Sequence, residues 1–102
     1  MKITNKIKND TMYICLFGEL DEHTAPNARQ TIDACILQGG FGNVVLDLSN
    51  LSFMDSTGIG VLLGRYKKIK KLGLTVCIAS PSQQTDKLLK LSGIYQVMPK
   101  IS

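Results

Sequence analysis

The sequence predicts an α/β domain built on one mixed sheet, and three observations carry that prediction. After an opening pair of strand patterns, strands and helices alternate; each helix pattern is closed by glycine; and the connections between them are short. Such alternation implies right-handed parallel crossovers with helices packed on the sheet. A chain of 102 residues suffices for one domain that buries roughly 60–70% of its unfolded surface, so a single domain over residues 1–102 is expected.

Lys2–Lys8 and Thr11–Gly18 read as strands joined by a turn at Asn9-Asp10. The second is apolar on both faces, with Met12, Ile14 and Leu16 on one and Tyr13, Cys15 and Phe17 on the other, as expected for a central strand. Glu19–His23 is polar and reads as a loop. A helix follows from Ala25 to Gln38, with Thr24 as cap, Pro26 in the first turn and Gly39-Gly40 as stop. Asn43–Leu48 is a buried-strand run, followed by a loop carrying Ser56 and a helix from Thr57 to Lys71 that ends at Gly73. Leu74–Ala79 is the next strand. Ser80 with Gln83 forms a capping box and Pro81 takes the first helical position, so a third helix runs to Ser92 before Gly93. Tyr95–Met98 reads as a last short strand, placed at an edge by Pro99. The order is β-β-α-β-α-β-α-β, with the first strand antiparallel to the second. Ile32, Leu62, Leu63, Tyr66, Leu88 and Leu91 are the predicted helix contacts with the core.

Composition excludes several classes. The start, Met1-Lys2-Ile3-Thr4-Asn5-Lys6, has no apolar secretory core, and no apolar run approaches the ~20 residues of a membrane helix, so a cytoplasmic protein without membrane contact is expected. Cys15, Cys35 and Cys77 are odd in number, far apart and set in apolar segments, which predicts buried reduced thiols. Charge is uneven: residues 1–55 hold 4 basic and 7 acidic side chains, residues 56–102 hold 8 and 1. Arg65, Lys67, Lys68, Lys70 and Lys71 crowd the end of one helix, where cations suit the negative end of the dipole. No aromatic platform accompanies them, so no direct nucleic-acid contact is predicted.

Functional loops of an α/β sheet gather at the carboxyl ends of its parallel strands. Here those loops carry Asp21 with His23, and Asp55 with Ser56. Ser56 sits at a strand-to-helix turn, where a hydroxyl either caps the helix or carries a phosphate facing the positive helix end. A hydrolase triad is disfavoured, because the Gly-x-Ser-x-Gly elbow is absent. Gly58-Ile59-Gly60-Val61-Leu62-Leu63-Gly64 is one residue too long for a dinucleotide fingerprint and lies inside a helix. Asp21 and Asp55 alone make a poor magnesium site, so neither metal nor cofactor is expected. The enzyme alternative is a small nucleotide-binding or nucleotide-hydrolysing protein that uses Asp21, Asp55 and Ser56.

At 100° per residue, the apolar stripe of the second helix centres on Leu62 and Tyr66, and Gly60 and Gly64 face outward with Thr57, Val61 and Lys68 nearby. An exposed mid-helix glycine costs roughly 1 kcal/mol relative to alanine. Two on one strip predict a close-approach interaction surface along Ser56, Gly60 and Gly64.

Phe17-Gly18-Glu19-Leu20-Asp21 with His23-Thr24-Ala25, then Leu51-Ser52-Phe53-Met54-Asp55-Ser56-Thr57-Gly58-Ile59-Gly60, resemble the two signatures of STAS-domain anti-sigma factor antagonists. Gly64-Arg65-Tyr66-Lys67 and Leu91-Ser92-Gly93-Ile94 resemble the sporulation branch, the anti-sigma F factor antagonists. The resemblance implies that Ser56 is the phosphorylated serine and that the protein is not itself an enzyme. It further implies an anti-sigma factor with serine kinase activity as partner, bound in the unphosphorylated state, and a PP2C-type phosphatase that reverses the modification. It also implies one further C-terminal helix. Thr57 stands where the family commonly has a second serine.

Overall fold

The computed structural model describes residues 1–102. Its elements are β1 (Lys2–Lys8), β2 (Thr11–Leu20), α1 (Ala25–Leu37), β3 (Asn43–Asp47), β4 (Leu51–Met54), α2 (Ser56–Lys71), β5 (Thr75–Ala79) and α3 (Gln83–Ser92), followed by a 3₁₀ turn at Ile94–Gln96. The sheet order is β1-β2-β3-β5, with β1 antiparallel to β2 and β2, β3 and β5 parallel. The mixed α/β sheet and the antiparallel first pair are as predicted.

The predicted element order needs two changes. Leu51–Met54, assigned to the serine loop, is a strand that pairs with Gly18–Leu20 of β2. Its burial runs buried, exposed, exposed, buried, so it lacks the period-2 alternation by which a strand is recognised. Gly18 makes the pairing possible: it adopts φ 104° at a shift in register, in a region that favours glycine. β2 therefore continues past the predicted end. The second change is at Tyr95–Met98, which is not a strand. Ile94 and Met98 are buried at helical spacing, and Met98 N–H donates to Ile94 O at 2.9 Å. The edge pairing lies after Pro99, where Ile78 N–H donates to Pro99 O and Ile101 N–H to Ile78 O, each at 2.9 Å.

The predicted capping box also shifts. Ser80 has φ 54°, and Ser82 is the cap, its Oγ accepting from Thr85 N–H at 3.2 Å. Pro81 lies before the helix and not at its first position.

The core forms where the helices meet the face carrying Met12, Ile14 and Leu16, all fully buried. Val44, Leu46 and Ile78 continue it across the sheet, with Ile32, Leu62, Ile69 and Leu89 from the helices. The opposite face of β2 is not buried, contrary to the prediction: Tyr13, Cys15 and Phe17 are half-exposed. Burial, followed by the Asp47 carboxylate that accepts from its Sγ at 3.6 Å, raises the Cys15 thiol above its ordinary pKa. All three cysteines are free thiols, and only Cys35 is fully inside.

Of the predicted helix contacts, Ile32 and Leu62 are fully buried, while Leu63, Tyr66 and Leu88 pack against the core from partly open positions. Leu91 does not: it is 79% exposed. The α3 face that enters the domain is Thr85 and Leu89, which leaves the adjoining stripe outside.

A polar cluster ties the end of the chain to α3. Asp86 accepts from Tyr95 Oη at 2.6 Å and from Lys100 Nζ at 3.1 Å. These bonds, Tyr95 foremost, lower the Asp86 carboxyl from 3.8 to about 2. A depressed carboxyl stabilises the fold above its unfolded pKa and loses that contribution as pH falls through the folded value. Stability should thus decline between pH 3.8 and about 2, and Asp86→Asn should flatten that part of the pH profile of thermal melts followed by circular dichroism. Denaturant unfolding should separate the two leucines. Leu62→Ala should lose about 2–5 kcal/mol as a core cavity, and Leu91→Ala less than about 0.5 kcal/mol as a surface change.

Candidate functional site

The carboxyl ends of β2 and β4 run side by side, with Leu20 opposite Met54. Asp55 N–H donates to Leu20 O at 3.4 Å, so the next residues, Asp21 and Asp55, emerge as neighbours. Asp21 opens the loop to α1 and Asp55 opens α2. The register thereby brings the two predicted carboxylates to one edge.

Each carboxylate has local work. Asp21 Oδ1 accepts from His23 N–H at 2.9 Å and Thr24 N–H at 3.1 Å, a closed Asx turn. The Thr24 bond first, and that from His23, hold its carboxyl below the ordinary value against some burial. Thr24 takes the predicted cap position of α1, but its side chain makes no capping bond, because its hydroxyl donates to Glu19 O at 2.8 Å instead. Asp55 is the cap of α2. Its Oδ1 accepts from Thr57 N–H at 2.9 Å and Gly58 N–H at 3.4 Å.

That cap leaves Ser56 without a capping role. Ser56 is the first residue of α2, its side chain is exposed, and the capping role belongs to Asp55. The hydroxyl is free of the local structure. The helix-end donors at Thr57 and Gly58 are already taken, so a group attached to Ser56 would meet a carboxylate there as well as the positive helix end.

Gly58, which the sequence analysis did not single out, controls this geometry. It is buried, and a Cβ built on it would lie 2.8 Å from Met54 Sδ and 3.1 Å from Leu20 Cγ, with Met54 Cγ nearer still. The first turn of α2 can therefore rest directly on the strand ends. The signal was present as spacing: Gly58, Leu62, Arg65 and Ile69 form one buried stripe.

The outward strip of α2 holds in part. Gly60 is exposed and Gly64 half-exposed, and an added Cβ would meet nothing within 4 Å at either. Thr57 is half-buried at its start, and Lys68 is exposed but paired with Asp33 at 2.7 Å. Val61 does not belong to it, being 1% exposed. The reason is that α2 packs against α1 as well as the sheet, which widens its buried arc past Val61 to Arg65. Arg65 is consequently 6% exposed and not part of a solvated cluster. Its Nε lies 2.7 Å from Asp33 Oδ1, close enough for an ion pair but without hydrogen-bond alignment. Lys67, Lys70 and Lys71 remain exposed.

Comparison with known proteins identifies the family of this fold. A STAS domain model matches residues 2–102. The anti-sigma F factor antagonist of Paenibacillus polymyxa is 40% identical over 88 residues, covering 86% of this chain and 75% of the relative. The chain belongs to the STAS-domain anti-sigma factor antagonists. Among solved structures, the anti-sigma factor antagonist SpoIIAA in its unphosphorylated form superposes with a TM-score of 0.80 at 30% identity, covering 99% of this chain and 89% of that one. The phosphorylated form of the Bacillus cell fate determinant SpoIIAA gives a TM-score of 0.71, also at 30% identity, over 99% of this chain and 92% of that one.

The glycines provide a test of the site's construction. Gly58→Ala should lower stability by about 1–3 kcal/mol, as overpacking does in a filled space. Gly60→Ala should leave the isolated domain intact and up to about 1 kcal/mol more stable, as propensity alone dictates. Urea unfolding of the two variants would measure both, and a tolerated Gly58→Ala would contradict the close seat described for α2.

Proposed function

We propose that this protein is an anti-sigma factor antagonist switched by phosphorylation of Ser56. In the unphosphorylated state it binds an anti-sigma factor with serine kinase activity and so releases a sigma factor. Phosphate on Ser56 ends that binding, and a PP2C-type phosphatase restores it. By likeness to the anti-sigma F factor antagonists, the process served is sporulation transcription in the cytoplasm. No helix is long and apolar enough to cross a membrane, and the action is binding without catalysis of its own.

The observation that carries this reading is the freedom of Ser56: an exposed hydroxyl on the first turn of α2, relieved of capping by Asp55. The contact surface would run from Asp21 and Asp55 over Ser56 and Thr57 to Gly60, Gly64 and Lys68. The carboxylates of Asp21 and Asp55 are occupied by backbone N–H groups, which favours binding over a nucleotide-hydrolysing role for them.

The physics of the switch lies in differential solvation. A phosphoserine adds about −1.5 to −2 charge and three acceptor oxygens. In the free protein that dianion stands in water, and the fold changes little. In a close interface it must be desolvated beside Asp55, whose charge repels it. A difference of about 4 kcal/mol would weaken affinity roughly a thousandfold. Ser56→Ala is expected to bind the anti-sigma factor persistently and Ser56→Asp poorly, with both retaining the native circular dichroism spectrum. Calorimetry reads the affinities, and mass spectrometry locates the phosphate after incubation with the kinase. Label on Thr57, or label that persists in Ser56→Ala, would remove Ser56 from this role.

A further inference from the structure

Beside Ser56 the surface is concave as well as polar. A cleft of about 370 Å³ lies between the end of β4, the start of α2 and α3. Met54 and Thr85, both buried, line it together with the more open Phe53 and Leu88. Phe53 is 43% exposed, and Leu91, one turn beyond Leu88 on α3, is 79% exposed. The fold explains why this ground is uncovered. β4 pairs with β2 alone, and α3 enters the domain through Thr85 and Leu89. The apolar stripe of α3 is thus wider than the domain can cover. A single exposed leucine is unremarkable, but two large apolar side chains around a concave site mark an interaction surface.

We propose that this cleft receives an uncharged apolar side chain of the anti-sigma factor, so that β4 and α3 form a second part of the contact surface alongside Ser56. The inference rests on the function proposed above and extends it to residues outside the α2 strip. Two arguments select the occupant. The first is charge. Asp55 is the one charged residue lining the cleft, and its Oδ1 is engaged by Thr57 and Gly58. An acidic occupant meets that like charge, and a basic one would have to leave water for walls formed largely by Phe53, Met54 and Leu88, with one half-engaged carboxylate beside them. The second is size. A stable dimer buries about 1,200–2,000 Å² in total, far more than the neighbourhood of Phe53, Leu88 and Leu91, whereas one anchor side chain in a pocket is how a larger interface concentrates its affinity. Because Asp55 and Ser56 line the cleft too, a phosphate on Ser56 stands at its rim and disturbs both parts of the surface together.

The test titrates the full chain with the purified anti-sigma F factor of the same organism by calorimetry, using Phe53→Ser, Leu91→Glu and Ser56→Asp, with Gln83→Glu as an exposed control on α3. Phe53→Ser and Leu91→Glu are expected to weaken binding at least about tenfold, the effect of losing an anchor contact, while Gln83→Glu stays near wild type. Leu91→Glu keeps the experiment decisive if Phe53→Ser unfolds, since Leu91 is exposed. If Phe53→Ser, in the cleft, and Leu91→Glu, one turn beyond it on α3, both bind within twofold of wild type while Ser56→Asp is weakened, the cleft is not part of the surface and the switch stands. Wild-type protein that fails to bind, or Ser56→Asp that binds as wild type does, overturns the proposed function and this inference with it. Sedimentation that shows the wild type self-associating and Leu91→Glu monomeric would assign the cleft to a second copy of the chain and overturn the inference.

Discussion

The first turn of α2 rests on the ends of β2 and β4 at a separation that leaves no room for a side chain at residue 58. Most of the site follows from that contact. It places the start of α2 above Leu20 and Met54, so that Asp55 leaves β4 directly into the cap position and Ser56 projects from the first turn. Asp55 then occupies the free N–H groups of the turn, and the neighbouring hydroxyl has no structural duty. A larger residue at 58 would have to displace the side chains of Met54 and Leu20 on which the start of α2 rests.

Glycine thus has two different uses along one helix. At Gly58 the missing side chain permits contact within the domain, and at Gly60 and Gly64 the space beyond is empty. Exposed helical glycine is a cost of roughly 1 kcal/mol each in backbone freedom, with no compensation inside this domain. Compensation is available if another backbone approaches α2 from outside, which is the sense of the proposed partner face.

Charge is arranged with similar economy. The acidic first half of the chain contributes Asp21 and Asp55 to the candidate edge, each hydrogen-bonded locally by backbone N–H groups rather than paired with a cation. The basic second half turns Arg65 inward to Asp33 and joins Lys68 to the same carboxylate, which fastens α2 to α1. The phosphate proposed for Ser56 would therefore enter a neighbourhood of carboxylates whose partners are fixed. In that setting it would be costly to bury and inexpensive to leave in water.

The fold class, the helices, four of the strands, the glycine stops and the placement of Asp21, Asp55 and Ser56 at one edge are legible in the amino-acid order. Those features rest on periodicity, on turn residues and on the rule that α/β loops gather at strand ends, all of which are local or topological. Tertiary structure alone decided the rest. β4 has no alternation of its own and exists because Gly18 lets β2 turn to meet it. Val61 and Arg65 are inside because α1 lies against α2, and helical periodicity cannot report where a neighbouring helix will pack. Leu91 is outside because α3 enters the domain through Thr85 and Leu89. Tyr95–Met98 turns helically instead of extending because Met98 is drawn into the core one helical turn after Ile94. In each case the deciding contact joins residues distant in sequence or belongs to a packing angle, and neither is written in a local pattern.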